Sequence, residues 1–176
     1  MYSLGMFSKE SFWLRFTKYA ISSVSLILAF AFLLYFSLNK LIETPPTWMD
    51  EGIIIETARN IASHGSPSIR ISPTELVSGG YVTTSYPVTY PISILFKKYG
   101  VNIYSARIVM VIYLLLFAIS SLLLTIKVGE KSKYSYILSL LLIVSFAPLY
   151  GHGKNVLGEV PGMFYLFISI ILISFL

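Results

Sequence analysis

Residues 108–126 read IVMVIYLLLFAISSLLLTI, contain no charged side chain and are bounded by Arg107 and Lys127. A helix needs roughly 20 mostly apolar residues to cross about 30 Å of hydrocarbon, so this stretch predicts a transmembrane helix. Three other segments share this character: 19–39, 134–150 and 160–176. Together they predict an all-α integral membrane protein with about four spans.

The composition agrees with a membrane environment. Hydrophobic residues make up 56% of the chain and charged residues 12%, whereas soluble domains carry about 25% charged residues. The chain has no cysteine, which excludes disulfides and thiolate metal sites. Its net charge of +5 comes from basic residues that flank apolar segments, so the expected partners are membrane lipids and not nucleic acid.

Basic residues also predict the orientation. The short loop 127–133 carries three lysines, which marks it as cytoplasmic. The N-terminal segment 1–18, which is also basic, is expected on the same side. The loops 40–107 and 151–159 then lie outside, and the plasma membrane is the expected location.

The first outer loop is expected to hold two short interfacial helices. The first covers about 51–63, because Ile54, Ala58, Ile61 and Ala62 fall on one face, and Gly65 provides its end. We expect it to lie on the outer leaflet.

The second interfacial helix covers about 92–99 and ends at Gly100. The uncharged run 76–96 holds Pro87 and Pro91, which would leave backbone groups unpaired in lipid. We therefore interpret that run as a surface loop and not as a span.

The fourth apolar segment is still apolar at Leu176. Its length favours the N-terminal part of a longer polytopic protein, and the alternative is a short protein whose last helix ends at the cytoplasmic face.

Asp50 and Glu51 are the acidic pair of the first outer loop. One explanation is structural: Asp50 caps the helix and Glu51 favours its dipole. The other is functional, with a carboxylate at the bilayer surface acting as general base. The two explanations are compatible.

The second outer loop offers further candidates. Glu159 is expected at the positive end of the fourth span, where Pro161 fits the first turn. Alternatively, Lys154 and Glu159 line a site that faces Asp50. His152 lacks a second metal ligand in register. The sequence contains no phosphate-binding glycine loop for a soluble nucleotide.

Several short motifs occur in an informative order. They are Trp48-Met-Asp-Glu51, Pro87-x-x-x-Pro91, Phe96-Lys-Lys-Tyr-Gly100, Ala106-Arg107 and Leu157-Gly-Glu-Val-Pro-Gly-Met-Phe164. In this order the chain resembles the polyprenyl-phosphate-sugar-dependent membrane glycosyltransferases of the GT-C fold. Within that fold it is most similar to dolichyl-phosphate-mannose protein mannosyltransferases and the lipid A aminoarabinose transferase.

The resemblance implies a role for each candidate residue. The first-loop acid of the family is catalytic, which implies Asp50, with Glu51 beside it. Lys154 and Glu159 match a basic residue and an acid before proline, although Glu at 159 departs from the family's Asp. Arg107 or Lys154 would hold the leaving phosphate.

The implied donor is a polyprenyl-phosphate-linked sugar, and the acceptor is a protein, lipid or glycan. No cofactor is firmly implied, and a divalent metal is left open. The main alternative is a non-catalytic membrane subunit or scaffold. A lipid-linked oligosaccharide transferase is a close variant of the favoured interpretation. A transporter segment fits less well, because the predicted spans lack central charges.

Overall fold

The computed structural model describes residues 9–79, 86–128 and 133–175. Parts of the predicted N-terminal segment (1–8), surface loop (80–85) and cytoplasmic loop (129–132), and Leu176, lie outside them. The described elements are α1 (Lys9–Leu38), α2 (Met49–His64), β1 (Ser68–Ser72), β2 (Glu75–Ser78), α3 (Tyr86–Tyr99), α4 (Ile103–Val128), α5 (Lys133–Ser145), α6 (Ala147–His152) and α7 (Glu159–Ile173).

The described chain is mostly helical, which agrees with the predicted all-α class. Among its helices, α4 is long and apolar enough to cross a membrane, with a mean hydropathy of 2.6. The apolar part of α1 whose side chains are described, Ser23–Leu38, is shorter, as are the apolar helices Ser135–Ser145 and Glu159–Ile173. The described residues therefore hold one candidate span, and the four-span topology stays a prediction.

The predicted span 134–150 is two helices. α5 ends at Ser145, Phe146 adopts a non-helical conformation, and α6 begins at Ala147 with Pro148 in its first turn. Pro148 has no N–H to continue the bonding pattern of α5, which explains the break at this point.

α4 and α7 run parallel, side by side. The hydroxyls of Tyr113 and Tyr165, both in the N-terminal half of their helices, lie 3.1 Å apart. Near the other end, Lys127 Nζ donates to the Ser174 carbonyl at 2.9 Å. The first residues of both helices therefore lie at the same end of the helical assembly, which is also the end where α1 finishes.

Two apolar clusters fill the interior. One joins α2, α3 and α4 through residues such as Ile54, Ile92 and Met110. The other joins α1, α4 and α5 through residues such as Leu33 and Leu114. The prediction that the apolar face of α2 lies in the outer leaflet is wrong. This face is buried against α3 and α4, which supply the apolar surroundings that lipid was expected to supply.

Glycines end both helices of the predicted first outer loop. Gly65 follows α2 with φ 75° and Gly100 follows α3 with φ 80°. Both values lie in the left-handed region that glycine adopts without a steric penalty, so the predicted ends are confirmed.

α3 begins at Tyr86, so part of the predicted surface loop is helical. Pro87 lies in the first turn, where a missing N–H costs nothing. Pro91 lies inside the helix and cannot donate to the Pro87 carbonyl. The Tyr113 hydroxyl of α4 donates to that carbonyl instead, at 2.5 Å. A side chain from another helix thus makes the proline-rich sequence compatible with a helix.

A β-hairpin was not anticipated from the sequence. β1 and β2 pair antiparallel, with Ser68 opposite Ser78 and Arg70 opposite Leu76. The Asn60 side chain of α2 donates to the Ser68 carbonyl at 2.8 Å, which fastens the hairpin to that helix.

The α3–α4 contact can be tested with Tyr113→Phe. Removing the hydroxyl deletes its hydrogen bond to the Pro87 carbonyl, which should lower the free energy of unfolding by about 0.5–1.5 kcal/mol. Unfolding would be followed by circular dichroism in mixed micelles. Tyr104→Phe, on an exposed tyrosine of the same helix, should change it by less than about 0.5 kcal/mol.

A double variant distinguishes loss of this hydrogen bond from a general loss of packing around Tyr113. Pro91→Ala restores an N–H that can donate to the Pro87 carbonyl. In that background Tyr113→Phe should cost less than in the parent protein. An equal cost in both backgrounds would contradict the proposed compensation.

Candidate functional site

Four parts of the chain meet where α1 ends and α4 begins: the segment after α1, the start of α2, the start of α4 and residues 154–156. Arg107 of α4 lies at their centre and is fully buried, with 0% exposure. Arg107 is more than fifty residues along the chain from each of its partners, so this site is a product of tertiary folding.

Arg107 makes a two-pronged ion pair with Glu51. Its Nε donates to Glu51 Oε1 and its Nη2 to Glu51 Oε2, both at 2.8 Å. Its Nη1 donates to the Leu41 carbonyl at 2.8 Å, and its Nη2 also to the Pro45 carbonyl at 3.0 Å. Arg107 therefore ties the exit of α1 to the start of α2.

Glu51 extends this network to the loop 153–158, part of the predicted second outer loop. Its Oε1 also accepts a hydrogen bond from the Val156 N–H at 3.1 Å. The Val156 side chain is fully buried in the cluster formed by α2, α3 and α4. The two predicted outer loops are thus joined at the same end of the helices.

The helical repeat separates the two acids. Glu51, Ile54, Ala58 and Ile61 are all buried on one face of α2. Asp50 is rotated by about 100° from Glu51 and is exposed. Sequence reasoning missed the burial of Glu51, and its helical spacing from Ile54 and Ala58 was the available signal.

Asp50 does not cap α2. The cap position is occupied by Trp48, which makes no side-chain capping bond, and Asp50 lies within the first turn. The predicted capping role of Asp50 is therefore wrong, although a carboxylate in this turn still interacts favourably with the helix dipole.

Glu51 and Arg107 are not accessible to a substrate in this structure. Both side chains have 0% exposure and are bonded to each other. Glu51 therefore cannot contact a substrate as a catalytic residue in this arrangement, and Arg107 cannot contact a leaving phosphate. Asp50 is the exposed carboxylate of the predicted pair.

Lys154 is a buried cation next to this network. It is 3% exposed, and its Nζ donates to the Asn39 carbonyl at the end of α1, at 2.8 Å. Burial lowers the pKa of Lys154 from the ordinary 10.5, and the charge of Arg107 lowers it further. Within the described segments, no carboxylate lies within ion-pair distance of it.

A small pocket of about 310 Å³ lies beside Lys154 at the end of α1. Its wall includes Lys40, His152, Tyr150 and Phe36. Sequence reasoning missed this pocket, because its residues come from two segments more than a hundred positions apart. Lys40, the basic residue that follows the predicted span 19–39, was the available signal.

Glu159 is the exposed first residue of α7, in the turn where a carboxylate matches the helix dipole, and this confirms the structural explanation given for it. It follows Val156 by three residues, so it lies at the same end of the helices as Asp50. The substrate-binding role of Glu159 stays a prediction.

The described residues contain no group of three or more His, Asp or Glu side chains that could hold a metal ion. No family model, curated protein or solved structure matches the chain. The arrangement itself offers an exposed carboxylate, a buried cation beside a pocket, and a buried ion pair that positions both.

The ion pair predicts opposite behaviour for the two acids. Glu51→Gln leaves Arg107 buried without a counter-charge and should lower the free energy of unfolding by about 3–5 kcal/mol. Asp50→Asn, one residue away but exposed, should change it by less than about 0.5 kcal/mol. Unfolding in mixed micelles measures both, and equal effects would contradict this assignment.

The lowered pKa of Lys154 predicts a pH dependence. Between the pKa of the folded state and 10.5, the unfolded chain binds more protons at this site, so stability should rise with pH. Lys154→Met should remove this contribution to the change of the free energy of unfolding with pH. Lys97→Met, on an exposed residue, should keep it. Unfolding curves across this window would show it, and an unchanged slope in Lys154→Met would contradict the prediction.

Proposed function

We propose that the chain is the N-terminal part of a membrane glycosyltransferase that moves a sugar from a polyprenyl-phosphate carrier to an acceptor on the outer side. One observation carries the proposal: the buried Glu51–Arg107 pair and the Glu51–Val156 bond join both outer loops. They hold the exposed Asp50 at the same end of the helices as Lys154 and Glu159.

Asp50 is the general base in this proposal. Its carboxylate accepts the proton of the acceptor hydroxyl while the oxygen attacks the anomeric carbon of the donor sugar. The bond between that carbon and the phosphate oxygen breaks, and the lipid phosphate leaves as an anion. Such a leaving group needs a nearby positive charge more than it needs a proton.

Lys154 is the residue best suited to that charge. It has three N–H donors and uses one for the Asn39 carbonyl. Arg107 acts through position: it holds Glu51, which fixes the backbone next to Asp50. Glu159 remains a proposed contact to the sugar or acceptor hydroxyls.

The proposal also includes the four-span topology. α1, α4, α5 with α6, and α7 cross the plasma membrane, with the N-terminus inside and the site outside. The parallel course of α4 and α7 supports it, since both would run from the outside inward. Lys127 at the far end of α4 is then on the cytoplasmic side.

Asp50→Asn tests the mechanism in the protein encoded by the complete gene, reconstituted with a radiolabelled polyprenyl-phosphate sugar. Loss of a general base should reduce sugar transfer by about 10²–10⁴-fold. Because Asp50 is exposed, expression and unfolding should stay near those of the parent protein. Glu43→Gln, on another exposed acid of the same loop, is the matched control and should transfer normally.

The outcomes separate the two main candidate functions. Transfer at the parent rate by Asp50→Asn would remove Asp50 from the mechanism. A protein without transfer activity, whose partners no longer assemble when Glu51 is changed, would favour the membrane scaffold.

A further inference from the structure

α3 presents one outward face that no other described element covers. Its opposite face, which includes Val88, Ile92 and Phe96, is buried in the apolar cluster shared with α2 and α4. The helical repeat gathers the exposed side chains, apart from the terminal Tyr99, into an arc of about 120°. These exposed residues, which we name the α3 face, are Tyr86, Pro87, Tyr90, Ile94, Lys97 and Lys98.

α3 runs in the opposite direction to the first half of α4. Gly100 ends α3 and α4 begins at Ile103, so the end of α3 lies at the start of α4. The Pro87 carbonyl, near the start of α3, accepts a hydrogen bond from Tyr113, which lies about 15 Å along α4 from Ile103. One end of the α3 face therefore lies beside the start of α4, and the other end lies beside its third turn.

The composition of the α3 face changes along this direction. At the end beside the third turn of α4, the rings of Tyr86 and Tyr90 stack with centroids 5.1 Å apart, and both residues are about half exposed. Ile94 follows and is also about half exposed, and Lys97 and Lys98 occupy the last turn. α3 contains no acidic residue, and within the described segments neither lysine makes an ion pair. The face thus passes from aromatic and apolar to cationic.

This gradient matches the border of a lipid bilayer. Tyrosine is enriched where headgroups meet acyl chains, because its ring is apolar and its hydroxyl is polar. Lysine side chains near this border extend toward the headgroups and interact with anionic lipids. In water, by contrast, the stacked tyrosines and Ile94 would leave an apolar patch exposed. The order of residues along α3 therefore favours lipid as the neighbour of this face.

The depth of the α3 face fits the same border when α4 spans the membrane. The uncharged stretch 108–126 of α4 begins directly after Arg107. Tyr113, beside the start of α3, lies about 9 Å further along the helix than Arg107. Interfacial helices bury their apolar faces by about 5–10 Å into the boundary of headgroups and acyl chains. The tyrosine end of the α3 face then lies at that depth, and the lysine end lies among the headgroups.

We propose that the α3 face binds anionic phospholipid in the leaflet that surrounds the start of α4. Tyr86, Tyr90 and Ile94 contact the upper part of the acyl chains, and Lys97 and Lys98 contact the headgroup phosphates. The two lysines favour an anionic headgroup, because a zwitterionic one carries no net charge to attract them. This binding requires the span formed by α4, which rests on the proposed function, and is independent of sugar transfer.

Fluorescence quenching by brominated lipids tests the depth of this face. Trp13→Phe and Trp48→Phe remove the two tryptophans of the full chain, and Tyr90→Trp supplies a single probe. In nanodiscs, Tyr90→Trp should be quenched about twofold more by phospholipid brominated near the top of its acyl chains than near their ends. Ile119→Trp, at an exposed position about 18 Å beyond Arg107 on α4, is the matched control and should show the reverse order.

Lipid charge tests the two lysines. With bromine at the same chain position, anionic phosphatidylglycerol should bind at the Tyr90→Trp probe about 10–30-fold better than zwitterionic phosphatidylcholine. Lys97→Gln combined with Lys98→Gln should bring the two lipids to about equal binding. Lys40→Gln combined with Arg70→Gln removes the same charge from exposed residues outside α3 and should keep the preference.

Four results would each overturn the proposal. Quenching of Tyr90→Trp by aqueous iodide but by no lipid would place the face in water. Protection from both iodide and lipid would place it against protein. Equal binding of the two lipids by the parent probe, or a preference that survives loss of both lysines, would exclude the headgroup contact.

The controls distinguish failure of this lipid contact from failure of the proposed function. Absence of lipid quenching at Ile119→Trp would reject the span, whereas quenching there without quenching at Tyr90→Trp would reject the α3 contact alone. Asp50→Asn should keep the quenching at Tyr90→Trp while it loses transfer. Normal transfer by Asp50→Asn with intact quenching would therefore reject the mechanism and leave the lipid contact standing.

Discussion

The buried ion pair between Glu51 and Arg107 is the interaction on which the described site depends. It joins the start of α2 to the start of α4, and through backbone carbonyls and the Val156 N–H it also holds the segment after α1 and the loop before α7. A buried pair is a poor source of net stability, because desolvation offsets the attraction. Its strength is specificity: either charge alone would be strongly destabilising, so only the arrangement that unites all four segments is acceptable.

This constraint gives neighbouring residues different roles. Glu51 lies on the apolar face of α2 and fixes the backbone, whereas Asp50 projects outward with its carboxylate free to meet a ligand. Lys154 is held beside the same network, and its pKa is lowered by burial and by the nearby guanidinium of Arg107. The positive charge of Lys154 thus lies in the wall of a pocket and not in bulk water. In bulk water its attraction for an anion would be weak.

Other parts of the fold show the same dependence on distant partners. The proline-rich segment 86–91 is helical because the Tyr113 hydroxyl replaces the donor that Pro91 lacks. α5 stops at Ser145 and α6 restarts at Ala147, so an apolar run that could form one span is divided at Phe146. The hairpin of β1 and β2 is held to α2 by the Asn60 side chain. Each case combines a local sequence signal with a partner that local reasoning cannot identify.

The sequence by itself determined the mostly helical fold, the long apolar helix α4, and the ends of α2 and α3 at Gly65 and Gly100, because apolar periodicity and glycine conformation are local properties. It also identified Asp50, Glu51, Arg107, Lys154 and Glu159 as the ionisable residues worth attention. Tertiary structure alone decided which of them are paired, which are buried and which face a pocket. Those properties depend on contacts between residues more than fifty positions apart, and the packing of α2, α3 and α4 determines those contacts.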